Sequence, residues 1–255
     1  MNNFRNSKMN NTLQKLGKQT VEKLIIQGYD VPYFIISGSH LYGTANENSD
    51  IDFRGVFFAS LNQRLGFSYK EDIDFGEDGK LYEIKKFMKL LSDNNPNILE
   101  WIFAPRSNVF QLDPDFKDIV FKDKQQYINP KLVQVKFLGY CMSEMSRLKK
   151  LNGRTGEKRR KIIEKYGYNT KSASNVVRIA TAGIDLISHK HLKLPYENRE
   201  LLLDIKNGKY TFEEFMSIAM PKVEKLRSFE GLEDRTEEIK GYAQGALITY
   251  IRSKI

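Results

Sequence analysis

The segment Ile36 to Val56, ISGSHLYGTANENSDIDFRGV, limits what this chain can fold into more than any other part of it. An apolar, β-branched and aromatic run, Val31 to Ser37, stops at Gly38-Ser39. Eleven residues beyond Ser39 stands Asp50-Ile51-Asp52, opening a second run, Ser49 to Ser60, that alternates at first and is wholly apolar by Val56 to Ala59. Both runs read as strands, the second half-buried and then fully buried. Side chains at i and i+2 of a strand share one face about 6–7 Å apart. Asp50 and Asp52 therefore cannot relieve their repulsion by pointing apart, and a hard cation such as Mg²⁺ or Mn²⁺ is the expected companion. An isolated Asp-x-Asp is more often a charge that protects a sheet edge, and Gly-Ser by itself ends many strands. The combination is more specific. Gly38 permits a positive-φ turn and close backbone approach, Ser39 adds a hydroxyl donor, and together they form a phosphate grip beside a metal platform.

The rest of the chain sorts into an α/β front and a helical back. Thr12 to Gln27 has apolar residues at helical spacing, and Leu61 to Gly79 reads as a loop with short strand pieces. Leu81 to Leu91 shifts to a helical period, and Asn95-Pro96 is a helix start, cap followed by first-turn proline, opening Asn97 to Phe103. Beyond Pro105 strand character fades. Helices are expected over Lys131 to Leu151, Ser172 to His189, Glu197 to Asn207, Thr211 to Leu226 and Gly241 to Ile255, with Thr211 and Glu214 forming a capping box. Gly153 to Arg160 (GRTGEKRR) reads as a basic linker or loop. Trp101 and the Tyr and Phe residues read as core.

Charge follows the same division. The net charge is +9, but residues 1–124 carry 16 Lys/Arg against 17 Asp/Glu, and residues 125–255 carry 25 against 15. A basic back half attracts nucleic acid or nucleotide phosphates, although many such lysines are ordinary solvated helix faces. The single cysteine, Cys141, excludes an internal disulfide and a cysteine-based zinc site. No apolar stretch approaches the roughly 20 residues of a membrane helix. The polar, Asn-rich start lacks an apolar signal core, so a cytoplasmic location is expected.

The string G-S-H-L-Y-G-T…S-D-I-D-F-R-G, Gly38 to Gly55, resembles the DNA polymerase β-like nucleotidyltransferase superfamily. It is closest to a predicted nucleotidyltransferase branch with RNA-repair-associated and bacteriophage members. Asn95-Pro96-Asn97-Ile98-Leu99-Glu100 and the later Tyr166 to Lys171 with Arg178 are similar to further elements of that branch. The resemblance implies an α+β fold, with a palm-like mixed sheet and flanking helices in residues 1–124 and a basic α-helical domain in residues 125–255. It also implies two catalytic metals, Mg²⁺ or Mn²⁺, and an NTP substrate.

On that reading Asp50 and Asp52 bind metal, and Gly38 and Ser39 hold the triphosphate. Lys171 and Arg178, two turns apart on one helix face, reach the same phosphates. Family members supply a third carboxylate. Glu83 at a strand-to-helix junction is the first choice and Asp74 its rival, while a helix-dipole partner is the plainer role for Glu83. Arg54, on the face of Asp50 and Asp52, is expected to orient them. His40 could touch phosphate or be a plain loop residue, and Tyr42 falls within the matched string. The expected reaction is transfer of a nucleoside monophosphate to an acceptor hydroxyl, foremost an RNA or tRNA 3′ end. A protein side chain (AMPylation), a small molecule such as an aminoglycoside, or a weakly catalytic nucleic-acid-binding module are the alternatives. Oligomeric state is not legible.

Overall fold

The computed structural model describes residues 2–46, 49–67, 69–149 and 156–254, with side chains from residue 12 onward. In chain order the elements are α1 (Asn2–Ile26), β1 (Asp30–Ile36), α2 (Gly38–Tyr42), β2 (Phe53–Phe58), α3 (Leu61–Leu65), β3 (Asp72–Phe75), β4 (Gly79–Glu83), α4 (Ile84–Ser92), α5 (Pro96–Ile102), β5 (Val109–Leu112) and α6 (Pro114–Phe116). The helical back follows as α7 (Pro130–Ser146), α8 (Glu157–Tyr166), α9 (Thr170–His189), α10 (Arg199–Lys206), α11 (Phe212–Arg227) and α12 (Thr236–Ser253).

Among the described residues the sheet has five strands in the order β3-β4-β2-β1-β5. β2 runs parallel to β4, and the remaining pairs, β1 with β2, β1 with β5 and β3 with β4, are antiparallel. This is the expected mixed sheet with flanking helices and a helical C-terminal part. β1 is the central apolar strand that its Val/Ile/Phe content requires, and its residues Val31 to Ile36 are all buried. Gly55 lies where β1 and β2 meet most closely: a Cβ there would fall 2.4 Å from the Tyr33 carbonyl oxygen, so the strand spacing depends on its absence.

Sequence periodicity placed the long helices well, and the capping boxes and caps explain the boundaries. Asn95 accepts from the Asn97 and Ile98 backbone N–H groups at the start of α5, and Thr211 with Glu214 closes the capping box of α11. Three short elements depart from the sequence reading. The segment read as a loop after Ser60 contains α3, begun by a Ser60–Gln63 capping box in which Gln replaces the more familiar Glu. A fifth strand, β5, pairs with β1 beyond Pro105. Glu157 to Arg160, read as linker, form the first turn of α8, while residues 150–155 lie outside the described residues.

One face of the sheet is covered by α1 through Val21, Leu24, Phe34, Phe53, Phe57 and Phe110. The other face carries the main core, which runs without a break from Tyr33, Val56 and Phe87 into Phe137, Val177, Phe215 and Tyr250. The core runs on across residue 124, because α12 returns to pack on α4 and stacks Tyr250 edge-on against Phe58 and Phe116.

Within that core sits an ion pair. Glu100 of α5, fully buried, accepts hydrogen bonds from the Tyr42 hydroxyl at 2.9 Å, from the Tyr196 hydroxyl at 2.6 Å and from the Arg178 guanidinium of α9. The Arg178 guanidinium also lies over the Tyr42 ring, 4.0 Å from its centre. Burial opposes the Arg178 charge, yet Glu100 outweighs it and holds the guanidinium pKa above its ordinary value. Removing one partner of a buried pair leaves the other charge uncompensated, typically at a cost of about 3–5 kcal/mol. Glu100→Ala is expected to lose stability in that range, read as a drop in the midpoint of a urea titration with an unchanged slope.

Candidate active site

α2 is a single helical turn set directly on the end of β1, and its geometry is decided by two glycines. Gly38 has φ +60 and Gly43, its C-cap, φ +77, both in the left-handed region that favours glycine. Gly38 is needed for a second reason: a Cβ would lie 2.2 Å from Asp52 Oδ2. The carboxylate of the Asp-x-Asp therefore rests against the bare Cα of the Gly-Ser turn. The Ser37 N–H donates to the Asp52 carbonyl at 2.8 Å, so the β1–β2 ladder reaches one step beyond the formal start of β2 at Phe53. Asp50 and Asp52 thus lie just ahead of the regular strand rather than within it, and the alternation still holds. Both face one cavity, whereas Ile51 packs against the cluster under α1.

That cavity has a volume of about 380 Å³ and joins the two halves of the chain. Gly38, Ser39, Asp50 and Asp52 line it from the sheet end, and Lys171, Ser174, Asn175, Arg178 and Lys206 from α9 and α10. Tyr42, Asn97 and Tyr140 complete the wall between them. Residues about 120 positions apart in sequence are therefore brought to one site, with carboxylates on one side and cations on the other.

Each side chain has a definite support. Arg54 donates to Asp52 Oδ1 at 3.2 Å and to the Phe53 and Asp78 carbonyls, so it orients Asp52, though not Asp50, which lines the cavity as an exposed residue. Lys206, which sequence reasoning missed, donates to the Thr44 carbonyl at 3.2 Å. Burial lowers its pKa, as does neighbouring Lys171, while Asp50 pulls the other way. Two lysines on one wall of a cavity, the charge of Lys206 opposed by burial and by its neighbour, favour an anion beside them. Burial likewise keeps the His40 pKa below its ordinary value, with Asp52 opposing and Lys206 assisting, and His40 Nε2 is buried with no hydrogen-bond partner among the described residues. Arg178 Nε is also buried, with no hydrogen-bond partner among the described residues.

Glu83 does not join this site. It is fully buried at the far end of β4, where it caps α4 through the Lys85 N–H at 2.7 Å and accepts from Arg64 at 2.6 Å and Tyr69 at 3.1 Å. The register explains why. Arg54 faces Lys80 and Phe57 faces Glu83, so Glu83 stands five residues along the sheet from the level of Asp52. Asp74 does not join it either: the register sets it level with Arg54 but two strands away, an exposed hairpin residue paired with Lys80 at 3.1 Å. The same parallel register sets Asp78 level with Asp52, and Asp78, Glu77 and Asp50 border a second, shallower cavity on the α1 side. Parallel register is invisible in a single sequence, which is why the helix-proximal Glu83 was preferred.

The donor set suits a hard divalent cation. Among the described residues no three His, Cys, Asp or Glu gather closely enough to hold a metal by themselves. Mg²⁺, however, is commonly held by one or two carboxylates together with substrate phosphates. Asp50 and Asp52 facing a cavity with two lysines fit that case, the Gly38 cradle fixing one of the carboxylates.

A family model described as the RNA repair pathway DNA polymerase beta family (RlaP) matches residues 6–238. An uncharacterized 38.9 kDa protein of Enterobacteria phage T4, from the nrdC-mobD intergenic region, is 28% identical over 123 residues, 43% of this chain and 36% of the phage protein. The chain thus matches about a third of that relative's length. No solved structure matches. Among the described residues no helix is long and apolar enough to cross a membrane. With the family model spanning the sheet, the cavity and most of the helical back, the chain belongs to the RNA repair pathway DNA polymerase beta family, within the polymerase β-like nucleotidyltransferase group.

Proposed function

We propose that the chain is a metal-dependent nucleotidyltransferase that moves a nucleoside monophosphate from an NTP to an acceptor hydroxyl, foremost the 3′ end of an RNA. The observation that carries this reading is the single cavity in which Asp50 and Asp52 face Lys171 and Lys206 across the Gly38-Ser39 turn. Ser39 and the turn hold the triphosphate at one end. Lys171 and Lys206 neutralise it from the other, with Arg178, already paired with Glu100, in the wall beside them. A divalent cation, Mg²⁺ or Mn²⁺, held by Asp50 and Asp52 would stabilise charge on the α-phosphate and on departing pyrophosphate. The protein's own contribution is positioning and fixed charge, the usual share in phosphoryl-group chemistry. Arg54 keeps Asp52 aimed, and Glu100 keeps Arg178 and Tyr42 in place behind the turn.

An RNA acceptor agrees with the family's repair association and with the basic back half, and a cytoplasmic site of action, in the host if the source is a phage, goes with it. A protein side chain or a small molecule would use the same cavity. The test is incubation with Mg²⁺ or Mn²⁺, each α-labelled NTP in turn and total RNA. Label is expected in RNA, and Asp50→Asn or Asp52→Asn is expected to reduce incorporation to background with an unchanged melting temperature. Near-normal turnover in either variant would sink the metal site, and label on protein alone would redirect the reading to AMPylation.

Three further variants separate the roles. Gly38→Ala combines a positive-φ penalty with a clash against Asp52 and is expected to abolish transfer while leaving the fold intact. Lys206→Ala is expected to raise the KM for NTP more than it lowers kcat, because it contacts phosphates that are bound before and during the reaction. Glu83→Gln is expected to lower the melting temperature and retain specific activity; loss of activity in a stable Glu83→Gln protein would return Glu83 to the site.

A further inference from the structure

The helix that sequence reasoning left as a linker has a use the cavity does not explain. α8 carries Lys158, Arg159, Arg160, Lys161 and Lys165 against Glu157 and Glu164. Lys161 is paired with Glu157 at 2.7 Å, and Arg159 turns inward to the Arg147 carbonyl. Lys158, Arg160 and Lys165 are exposed and have no ion-pair partner among the described residues. Lys158, Lys161 and Lys165 stand at i, i+3 and i+7 and form a stripe along one face of this ten-residue helix, about 15 Å long at 1.5 Å per residue, with Arg160 on the opposite side and Lys165 also lying over the Tyr166 ring. Like charges at this spacing repel one another unless an anionic partner covers them.

The stripe is tied to the cavity mouth. Tyr166, the last residue of α8, lies against Gly208 so closely that a Cβ there would sit 2.2 Å from its ring. Four residues on, Thr170 Oγ1 donates to the Lys206 carbonyl at 2.8 Å. The chain leaving α8 turns at Gly167, φ +78, and enters α9, where Lys171 faces the cavity beside Lys206. From Lys165 to Lys171 and Lys206 the positive charge is therefore continuous from an exposed helix into the site.

The β3–β4 edge of the sheet has the reverse sign. Glu71 and the hairpin residues Asp72, Asp74, Glu77 and Asp78 lie there, and Lys80 of β4 and Lys86 of α4 are already taken up by Asp72, Asp74 and Glu71. A phosphate backbone gains energy over α8 and loses it over the hairpin.

We propose that α8 is the docking surface for the body of the RNA acceptor, whose phosphates follow Lys158, Lys161 and Lys165 toward the cavity, so that the strand enters from the helical side and not over the β3–β4 hairpin. This rests on the reading of the acceptor as a polynucleotide. These contacts go to phosphates and carry no base readout, so they bind single-stranded RNA with little regard to sequence.

The experiment is a salt titration of binding to a fluorescein-labelled 20-nucleotide single-stranded RNA with a free 3′ hydroxyl, using the full chain. Each phosphate neutralised on a single strand contributes about 0.7 to the slope of log affinity against log salt. The variant K158Q/K161Q/K165Q is expected to flatten that slope by about 2, while Mg-NTP affinity by calorimetry and the melting temperature stay at wild-type values. The hairpin variant E71Q/D74Q is expected to leave the slope unchanged. An unchanged slope in the α8 variant, a steeper one in the hairpin variant, or preference for phosphatidylglycerol vesicles over RNA would each overturn the proposal. Binding and transfer are read separately: absence of transfer with an α8-dependent slope would overturn the catalytic reading and leave the docking surface standing. Transfer to RNA with an α8-independent slope would do the opposite.

Discussion

The buried carboxylate of Glu100 is the point on which the rest of the structure depends. A charge removed from water costs several kcal/mol unless it is paired and fully hydrogen-bonded, and Glu100 meets that condition with partners from three separate parts of the chain: Tyr42 behind the Gly-Ser turn, Arg178 in α9, and Tyr196 in the segment before α10. No one of these can shift without exposing the others' unmet hydrogen bonds. The helical back is thereby fixed against α2, and the cavity between them takes its width from that contact.

The polar arrangement of the site follows. Gly38 lets the Asp52 carboxylate lie on the backbone, and Arg54 takes its second oxygen, so the acidic side of the cavity is held rigidly from the sheet. The basic side comes from helices: Lys171 and Arg178 from one face of α9, Lys206 from the end of α10. Opposed charges across a polar cavity of this size suit a substrate that carries both a metal and several phosphates. The charge asymmetry extends outside the cavity, acidic over the β3–β4 hairpin and basic over α8.

Sequence and structure agree wherever the deciding physics is local. A β-branched run with a glycine stop makes β1, helical periods make α1, α7, α9 and α11, and side-chain caps at Asn95 and Thr211 set their ends within a residue or two. The i, i+2 argument correctly gave Asp50 and Asp52 one face and put Arg54 beside Asp52. The short elements escaped it. α3 is only five residues, too brief for a periodic signal, β5 is held by pairing with β1, and α8 offers one buried residue, Ile163, to mark an apolar face.

What the sequence determined by itself is the chemical motif: the Gly-Ser turn, the paired aspartates and the strands that carry them are specified by neighbours in the chain, through backbone sterics and strand alternation. What only the tertiary structure decided is which distant residues meet that motif. Glu83 was excluded by the parallel register of β2 and β4, which no local pattern encodes, and its carboxylate went to cap a helix instead. Lys206 was included because α10 packs on α9, and Arg178 was given Glu100 as a partner because α5 and α9 share one core. Register and helix packing are set by the burial of whole faces across the molecule, so they become visible only once the chain has closed on itself.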